Sequence, residues 1–192
     1  MTCQEYLYFV RADLWRHGGA NGGAALLRAV LFGEGASYSF WMRTCAFLRS
    51  KALTKWTLFP FAKLMYRRSC IAFGVWIPYS VRVGPGLHIA HASCIFVNEN
   101  ALIGRNCTIC QGVTLGVRNR GEKAGTPILG DNVYIGPGAK IIGGVRVGNN
   151  VAIGANAVVV EDVPNNAVVV GIPGRVISWA GSEGYVTHTE YE

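Results

Sequence analysis

The chain has 192 residues, a formal net charge of +7 and an apolar content of 51%. This length allows one domain with a sizeable core and an appendage. No stretch approaches about 18 uncharged apolar residues, so no membrane span is predicted. The start MTCQEYLYFVRADLW lacks the pattern of a secretory signal, and the six cysteines are dispersed, so reduced thiols and a cytoplasmic location are expected.

Residues 1–73 are predicted to form a helical arm. Apolar residues recur there at helical spacing, and Pro60 is expected to kink or end the third helix. The arm carries the excess charge, because residues 1–74 contain ten Lys or Arg against three Asp or Glu. The predicted helices cover 2–17, 22–32, 37–59 and 61–73.

The aromatic side chains of the arm allow two interpretations. The favoured one is that they pack among the helices, against the rest of the chain and against neighbouring subunits, because apolar helical stripes are usually core. The alternative is a basic amphipathic face that lies on an anionic membrane, such as the inner membrane. These residues are Tyr38, Phe40, Trp41, Phe47, Trp56, Phe59, Phe61 and Tyr66.

Residues 74–177 follow a six-residue period. An aliphatic residue opens each block, and between Leu129 and Val163 a small or β-branched residue follows four positions later. This period predicts a parallel β-helix in which three blocks make one triangular coil and both positions point inward. The opening residues are Ile77, Val83, Ile89, Val97, Ile103, Ile109, Leu115, Leu129, Ile135, Ile141, Val147, Ile153 and Val159.

Two features depart from the period. Ile95 and Phe96 add two residues to one block, and the segment GVRNRGEKAGTPI, residues 116–128, is eight residues too long. Because it is polar and rich in glycine, it is predicted to leave the β-helix at a corner as a loop that walls the functional site. Beyond the β-helix, the tail 178–192 is polar and aromatic and is expected to be mobile in part.

Several motifs between residues 75 and 177 resemble one enzyme family. They are GLHIAHASCIFVNENALIG, QGVTLG, LGDNVYIGPGAKIIGGVRVG, IGANAVVVEDVP and VVGIPGRVI. They resemble the serine acetyltransferase branch of the hexapeptide-repeat acyltransferases, which includes polysaccharide O-acetyltransferase relatives. The resemblance implies a left-handed parallel β-helix, a homotrimer or a dimer of trimers, and acetyl-CoA bound between two β-helices. It also implies direct acetyl transfer to a hydroxyl, with neither a metal nor a nucleic acid involved.

His91, in AHASC, matches the general base of the family. A neutral imidazole with a pKa of about 6.5 can take the proton of an attacking alcohol, whereas the alternative is a solvated surface histidine. Trp76 and Ala90 stand where the family has carboxylates that serve the base. Glu99 matches a family glutamate and is predicted either to orient His91 or to bind the acceptor.

Acetyl-CoA is expected to lie against small residues at the coil edges, where one backbone amide would stabilise the oxyanion. Arg175, in GIPGR, matches a basic residue that the family places near a CoA phosphate, and Lys140 is a second candidate. For both cations, a solvated surface charge is the alternative. The predicted binding residues are Gly116, Gly136, Gly138, Ala139, Lys140, Gly154, Ala155 and Arg175.

The acceptor is predicted to be a saccharide or polysaccharide hydroxyl, with serine as the alternative. Serine-specific members place an Arg–His pair where this chain has Gly125 and Thr126. Trp76 offers a flat apolar face for a sugar ring, and Arg118 and Arg120 offer hydrogen bonds to hydroxyls. His88 is a further candidate for acceptor binding, and a plain surface position is equally open.

Two other functions remain as alternatives. A metal hydratase with three zinc-binding histidines ranks low, because the β-helix has only His88 and His91. A non-catalytic β-helix would use the basic arm to bind a membrane or a partner. The CxxC spacing of Cys107 and Cys110 lacks the second pair of a zinc site, and Cys107 occupies an inward position, so it is interpreted as core.

Overall fold

The repeat folds into three parallel sheets around one core, with the helices at its N-terminal end. A computed structural model describes residues 1–19, 22–51 and 54–191. The helices are α1 (Cys3–Arg16), α2 (Gly23–Phe32), α3 (Glu34–Arg49) and α4 (Leu58–Phe73). The strands are β1 (Val75–Trp76), β2 (Arg82–Val83), β3 (His88–Ile89), β4 (Ile95–Val97), β5 (Leu102–Ile103), β6 (Thr108–Ile109), β7 (Thr114–Gly116), β8 (Ile128–Leu129), β9 (Tyr134–Ile135), β10 (Lys140–Ile142), β11 (Arg146–Val147), β12 (Ala152–Ile153), β13 (Val158–Val159), β14 (Val168–Val170) and β15 (Arg175–Ser178).

The strand order is that of a three-sided β-helix. The first side is β1-β4-β7-β10-β13, the second is β2-β5-β8-β11, and the third is β3-β6-β9-β12-β14-β15. From β1 to β13 every third strand therefore stacks on the same side, and β14 and β15 extend the third side. Each pair is parallel except β14 with β15, which is antiparallel. The chain visits the three sides in turn, as a six-residue block per side requires.

The core consists of the predicted inward residues. All thirteen aliphatic residues that open a block are buried, with at most 6% of their surface exposed. Apart from Ser93 and Asn119, which fall at the two irregularities of the repeat, the positions four residues later are buried as well, including Val133, Ala139 and Cys107. Burial raises the pKa of the Cys107 thiol to about 12, which fits a core residue.

The arm differs from the prediction around Pro60. The third helix was predicted to reach Phe59, but α3 ends at Arg49 and α4 begins at Leu58. Pro60 lies in the first turn of α4, where a missing N–H interrupts no hydrogen bond of the helix. It therefore neither ends nor kinks a helix. None of the helices in the described ranges is long and apolar enough to cross a membrane.

A buried ion pair joins the arm to the first coil. Arg43 on α3 donates from Nε to the Asp13 carboxylate on α1 at 2.9 Å, and both side chains are almost fully buried. The backbone N–H groups of Gly86 and Leu87 also donate to Asp13, at 3.0 and 2.9 Å. Arg43 in turn donates to the carbonyl of Val83 at 2.6 Å. Because the charges are satisfied by hydrogen bonds to the coil, α1 and α3 are fixed on the β-helix.

Two tyrosines close the N-terminal end of the β-helix. The Tyr38 hydroxyl accepts from the Ile77 N–H at 2.8 Å and lies 2.9 Å from the Ile77 carbonyl. The Tyr66 hydroxyl donates to the same carbonyl at 2.9 Å. Side chains of the arm thus hydrogen-bond to backbone groups at the end of the β-helix, where unpaired groups would favour association of strand edges.

The corner between the second and third sides carries a ladder of asparagines, and we call it the asparagine corner (residues 84–87, 104–107, 130–133, 148–151 and 164–167). Asn106 donates to Asn132, Asn132 to Asn150, and Asn150 to Asn166, over 2.9–3.1 Å. All four have a φ between 54° and 60°, a conformation that asparagine tolerates better than most residues. Each coil is therefore bonded to the next at this corner.

The tail packs against the asparagine corner, whereas the sequence predicted a tail that is mobile in part. The Ser182 hydroxyl donates to the Asn132 carbonyl at 2.6 Å, and the ring of Tyr185 lies 4.7 Å from that of Tyr134. Near its end, Tyr191 donates to the Asn106 side chain at 2.8 Å. The tail therefore runs back from the last coil to the first.

Candidate active site

The corner between the third and first sides carries His91, and we call it the histidine corner (residues 90–94, 110–113, 136–139, 154–157 and 171–174). His91 follows β3 and is exposed. No described residue hydrogen-bonds to its ring. An exposed imidazole without a hydrogen-bond partner among the described residues is accessible to a ligand that lies along this corner.

Most of the residues predicted to bind CoA lie on the same corner. Gly136, Gly138, Ala139, Gly154 and Ala155 occupy it in the coils beyond His91. At position 136 a Cβ would lie 2.8 Å from the Ile153 carbonyl oxygen, and Gly138 has a φ of +73°. Close stacking of the coils therefore requires these glycines even without a ligand. The consequence is a strip of backbone with few side chains that begins at His91.

The two cations predicted to bind a CoA phosphate, Lys140 and Arg175, differ in how accessible they are to a ligand. Lys140 begins β10, is half-buried and donates from Nζ to the carbonyl of Gly112 on the histidine corner. Arg175 begins β15 in the last coil, is exposed and donates to the Gly174 carbonyl at 3.2 Å. Arg175 is thus the more accessible of the two.

Glu99, Gly116, Arg118 and Arg120 lie elsewhere. Glu99, Arg118 and Arg120 belong to the corner between the first and second sides, and Gly116 ends β7, the strand that leads into it. We call this the loop corner (residues 98–101, 117–127, 143–145 and 160–162). The predicted loop is present: Arg118 and Gly125 exchange backbone hydrogen bonds of 3.0 and 2.8 Å. His91 and Glu99 stand at opposite ends of the first side, so the structure does not bring them together within one chain. The role of Glu99 stays a prediction.

Trp76 lies on the outer face of the first side, between those corners. Its neighbour in register on β4 is Phe96, followed by Thr114 on β7 and Lys140 on β10. The side chains of Trp76 and Phe96 are 44% and 50% exposed. The first side therefore exposes two aromatic side chains on neighbouring strands.

A cleft between the arm and the first coil opens next to His91, and the sequence did not indicate it. This arm cleft has a volume of about 950 Å³, and Ala90, the residue before His91, belongs to its wall. Three histidines and three charged side chains line it. They are His17, His88, His188, Arg16, Arg28 and Glu34. The six-residue period covers only His88 among them, so no repeat could have placed the others here.

Burial and positive neighbours keep His88 neutral. Its ring meets that of His17 edge-on, with 4.7 Å between the ring centroids. Burial, followed by the charges of His17 and Arg16, lowers the pKa of His88 to about 3. Burial also lowers the pKa of His17, whose Nδ1 lies 2.7 Å from the Asp13 carbonyl. Within the described ranges, no group of three or more His, Cys, Asp or Glu side chains is placed to hold a metal ion.

Comparison with known proteins identifies the family. A family described as "Bacterial transferase hexapeptide (six repeats)" matches residues 126–160. The serine acetyltransferase of Synechococcus elongatus is 43% identical over 119 residues, which are 62% of this chain and 49% of that protein. The chain spans about half the length of the curated relatives it matches.

Two solved structures extend the match to the arm. The serine acetyltransferase of Neisseria gonorrhoeae in complex with serine is 32% identical, with a TM-score of 0.72. The match covers 92% of this chain and 70% of the Neisseria chain. The Brucella abortus enzyme in complex with coenzyme A is 31% identical, with a TM-score of 0.73. That match covers 92% of this chain and 69% of the Brucella chain. The β-helix and the tail together are too short to supply this coverage, so the likeness includes the helices.

The fold is therefore that of the hexapeptide-repeat acyltransferases, and the predicted left-handed β-helix is confirmed. Within that class, the chain belongs to the serine acetyltransferase branch, as its motifs indicated. The sequence-based resemblance limited the match to residues 75–177. The structural likeness reaches further, into the arm.

Proposed function

We propose that this protein is an acetyl-CoA-dependent O-acetyltransferase in which His91 is the general base. The observation that carries the proposal is that the exposed His91 lies on the histidine corner directly after Ala90, a residue in the wall of the arm cleft. One surface suits an extended thioester and the other a small acceptor. The serine acetyltransferases to which the chain is similar include one in complex with coenzyme A, which supports the same co-substrate here.

The reaction proceeds by direct transfer in a ternary complex. Neutral His91 takes the hydroxyl proton of the acceptor as its oxygen attacks the thioester carbonyl carbon. A backbone N–H of the histidine corner stabilises the oxyanion of the tetrahedral intermediate. The intermediate collapses with cleavage of the C–S bond, and the proton on His91 passes to the sulfur of CoA. The acetyl ester and free CoA leave, and His91 is neutral again.

L-Serine is the acceptor that the comparisons favour, and they offer no support for the saccharide that the sequence favoured. A free amino acid brings a carboxylate and an ammonium, and both need partners in a desolvated site. At the positions where serine-specific members place such partners, this chain has Gly125, Thr126 and Trp76, which was the argument for a saccharide. The arm cleft supplies both signs: Arg28 on α2 for the carboxylate and Glu34 on α3 for the ammonium.

A saccharide hydroxyl is kept as the second candidate because of one observation. Trp76 and Phe96 expose adjacent aromatic faces on the first side, and such faces stack on sugar rings. Arg118 and Arg120 are exposed on the loop next to this side. A glycan would therefore bind outside the arm cleft, across the first side.

Steady-state kinetics with acetyl-CoA, followed by release of free thiol, would distinguish the acceptors. We expect a larger kcat/KM for L-serine than for a panel of glycans. The variant Arg28→Gln should raise KM for serine about tenfold or more, as expected for loss of a charged hydrogen bond. The matched variant Arg120→Gln should leave it unchanged. A larger kcat/KM for any glycan, with Trp76→Ala abolishing the preference, would favour the second candidate.

We also propose a homotrimer, alone or as a dimer of trimers. His91 and the backbone of the histidine corner lie open in a single chain, so a neighbouring β-helix is needed to complete a groove around the thioester. Light scattering should show a trimer or a hexamer at micromolar concentration. A monomer that transfers acetyl groups would contradict this assembly, and absence of CoA binding by calorimetry would contradict the enzyme itself.

A further inference from the structure

The outward face of α4 carries large apolar side chains that the described residues leave more than half exposed, although the ring of Phe61 meets that of Trp41 edge-on with 6.0 Å between the centroids. The buried side of the helix is formed by Ala62, Ser69 and Cys70. On the opposite side, Phe61, Leu64 and Ile71 are between 56% and 66% exposed. At about 100° per residue, positions 61, 64, 68 and 71 fall within an arc of about 80°. The exposed apolar residues are thus a stripe along one face.

Cations interleave with this stripe. Arg68 lies within the same arc and Arg67 about 40° from its edge, while Lys63 lies further round the helix; all three are exposed. Just before the helix, Trp56 is 81% exposed, and the ammonium of Lys55 lies 5.6 Å from its ring centroid. We call this surface, residues 55–71 on the outer side of α4, the α4 face.

The α4 face has no acidic counterpart in its part of the chain. From residue 35 to residue 98 there is no Asp or Glu, although this stretch holds eight Lys or Arg. One of the eight, Arg43, is neutralised by Asp13, but that pair is buried elsewhere. A symmetric contact between two copies of this face would bring cations against cations, which disfavours self-association through it.

We infer that the α4 face docks on the surface of a bilayer that contains anionic lipid. Exposed aromatic and aliphatic side chains enter the boundary between headgroups and acyl chains, while lysine and arginine extend their charged ends to the lipid phosphates. The aromatic residues of the arm divide accordingly. The hydroxyls of Tyr38 and Tyr66 hydrogen-bond to the carbonyl of Ile77, whereas the side chains of Trp56 and Phe61 are mostly exposed. The packing interpretation holds for the first pair, and the membrane interpretation applies to the second.

Co-sedimentation of the full chain with phosphatidylcholine vesicles, with and without phosphatidylglycerol, tests this inference. We expect binding that requires phosphatidylglycerol and weakens with added salt. Arg67→Gln/Arg68→Gln should lower the partition coefficient about 30-fold, because each surface cation contributes about a fivefold factor. Phe61→Ser/Leu64→Ser should lower it about tenfold or more, through lost apolar burial.

Two control variants make the same changes elsewhere. Arg11→Gln/Arg146→Gln removes two exposed charges outside α4, and Leu27→Ser/Leu31→Ser removes two leucines of α2 that are each 62% exposed. Neither should change the partition coefficient by more than about twofold to threefold, since long-range attraction is screened within a Debye length. Acetyl transfer in solution should be the same in both α4 variants as in the wild type.

Three results would overturn the inference. The first is absence of wild-type binding to the phosphatidylglycerol vesicles at low salt. The second is an equal loss of binding in the control variants. The third is a decrease in oligomeric state by light scattering in Phe61→Ser/Leu64→Ser together with unchanged vesicle binding, which would show that a second copy of the chain covers the α4 face.

Discussion

Two corners of the same β-helix use similar turns for different purposes. At the asparagine corner, side-chain amides bond coil to coil and the tail covers them. At the histidine corner, the equivalent turns carry glycine or alanine at most positions, and the edge remains open beside His91. The same repeat therefore builds one corner that is closed by its own side chains and one that stays open. The proposed ligand surface is the open corner, at which the turns lack interacting side chains.

The largest effect that would sharpen this contrast is expected from His91→Ala. Loss of a positioned base should lower the acetylation rate about 10²–10⁴-fold. Because His91 is exposed and no described residue bonds to its ring, the free energy of unfolding and CoA binding should not change. Assays of thiol release measure the rate, and calorimetry of CoA binding and denaturant titration are the controls. An unchanged rate would remove His91 from the mechanism.

Asn132→Ala tests the other corner. It removes two side-chain hydrogen bonds of 2.9 Å and places alanine at a φ of +56°. We expect a loss of about 2–3 kcal/mol in the free energy of unfolding, measured by denaturant titration, with kcat nearly unchanged. Asn132→Gly keeps the backbone conformation and should lose less. If Asn132→Ala is as stable as the wild type, the ladder does not stabilise the fold.

Ala155→Trp would place a large side chain on the open corner. Ala155 is exposed and follows Gly154, so the indole would occupy the predicted path of the thioester. KM for acetyl-CoA should rise about tenfold, equivalent to about 1.4 kcal/mol, with little change in stability. Ala180→Trp, at an exposed alanine of the tail, is the matched control. Equal KM values in the two variants would mean that acetyl-CoA binds elsewhere.

The smallest effect concerns His88 and pH. Its folded pKa of about 3 lies below the unfolded value of 6.5, so the unfolded chain binds the proton first as the pH falls. The folded state should therefore lose stability between about pH 6.5 and pH 3. Between about pH 7.5 and pH 5, the wild type should lose about 1 kcal/mol more than His88→Asn, a value reduced for partial exposure of the ring. Thermal unfolding at both pH values measures this, and parallel losses would contradict it.

The β-helix could be predicted closely from the sequence, because each inward position is set by one local rule that repeats every six residues. Cys107 shows this, since its block position alone indicated core. The arm has no such period. The end of α3 at Arg49 and the start of α4 before Pro60 depend on how the helices pack against the first coil.

The candidate site was predictable in the same uneven way. The residues of the histidine corner follow from the repeat and from the family motifs. The arm cleft does not, because Arg28, Glu34 and His188 are far apart in sequence and meet only through the packing of the arm and the tail. The sequence-based prediction of a saccharide therefore took no account of the charges in the arm cleft.

The return of the tail to the first coil has a consequence for how the molecule unfolds. Stacked-repeat proteins usually lose structure from their ends, since each coil contacts only its neighbours. Here the first coil is held by Asp13, Arg43 and Tyr38, and Tyr191 ties the last segment of the chain to Asn106 near that same coil. Neither end can fray without disturbing the other. The five coils and the arm therefore behave as one cooperative unit, with a single melting transition instead of a stepwise loss of repeats.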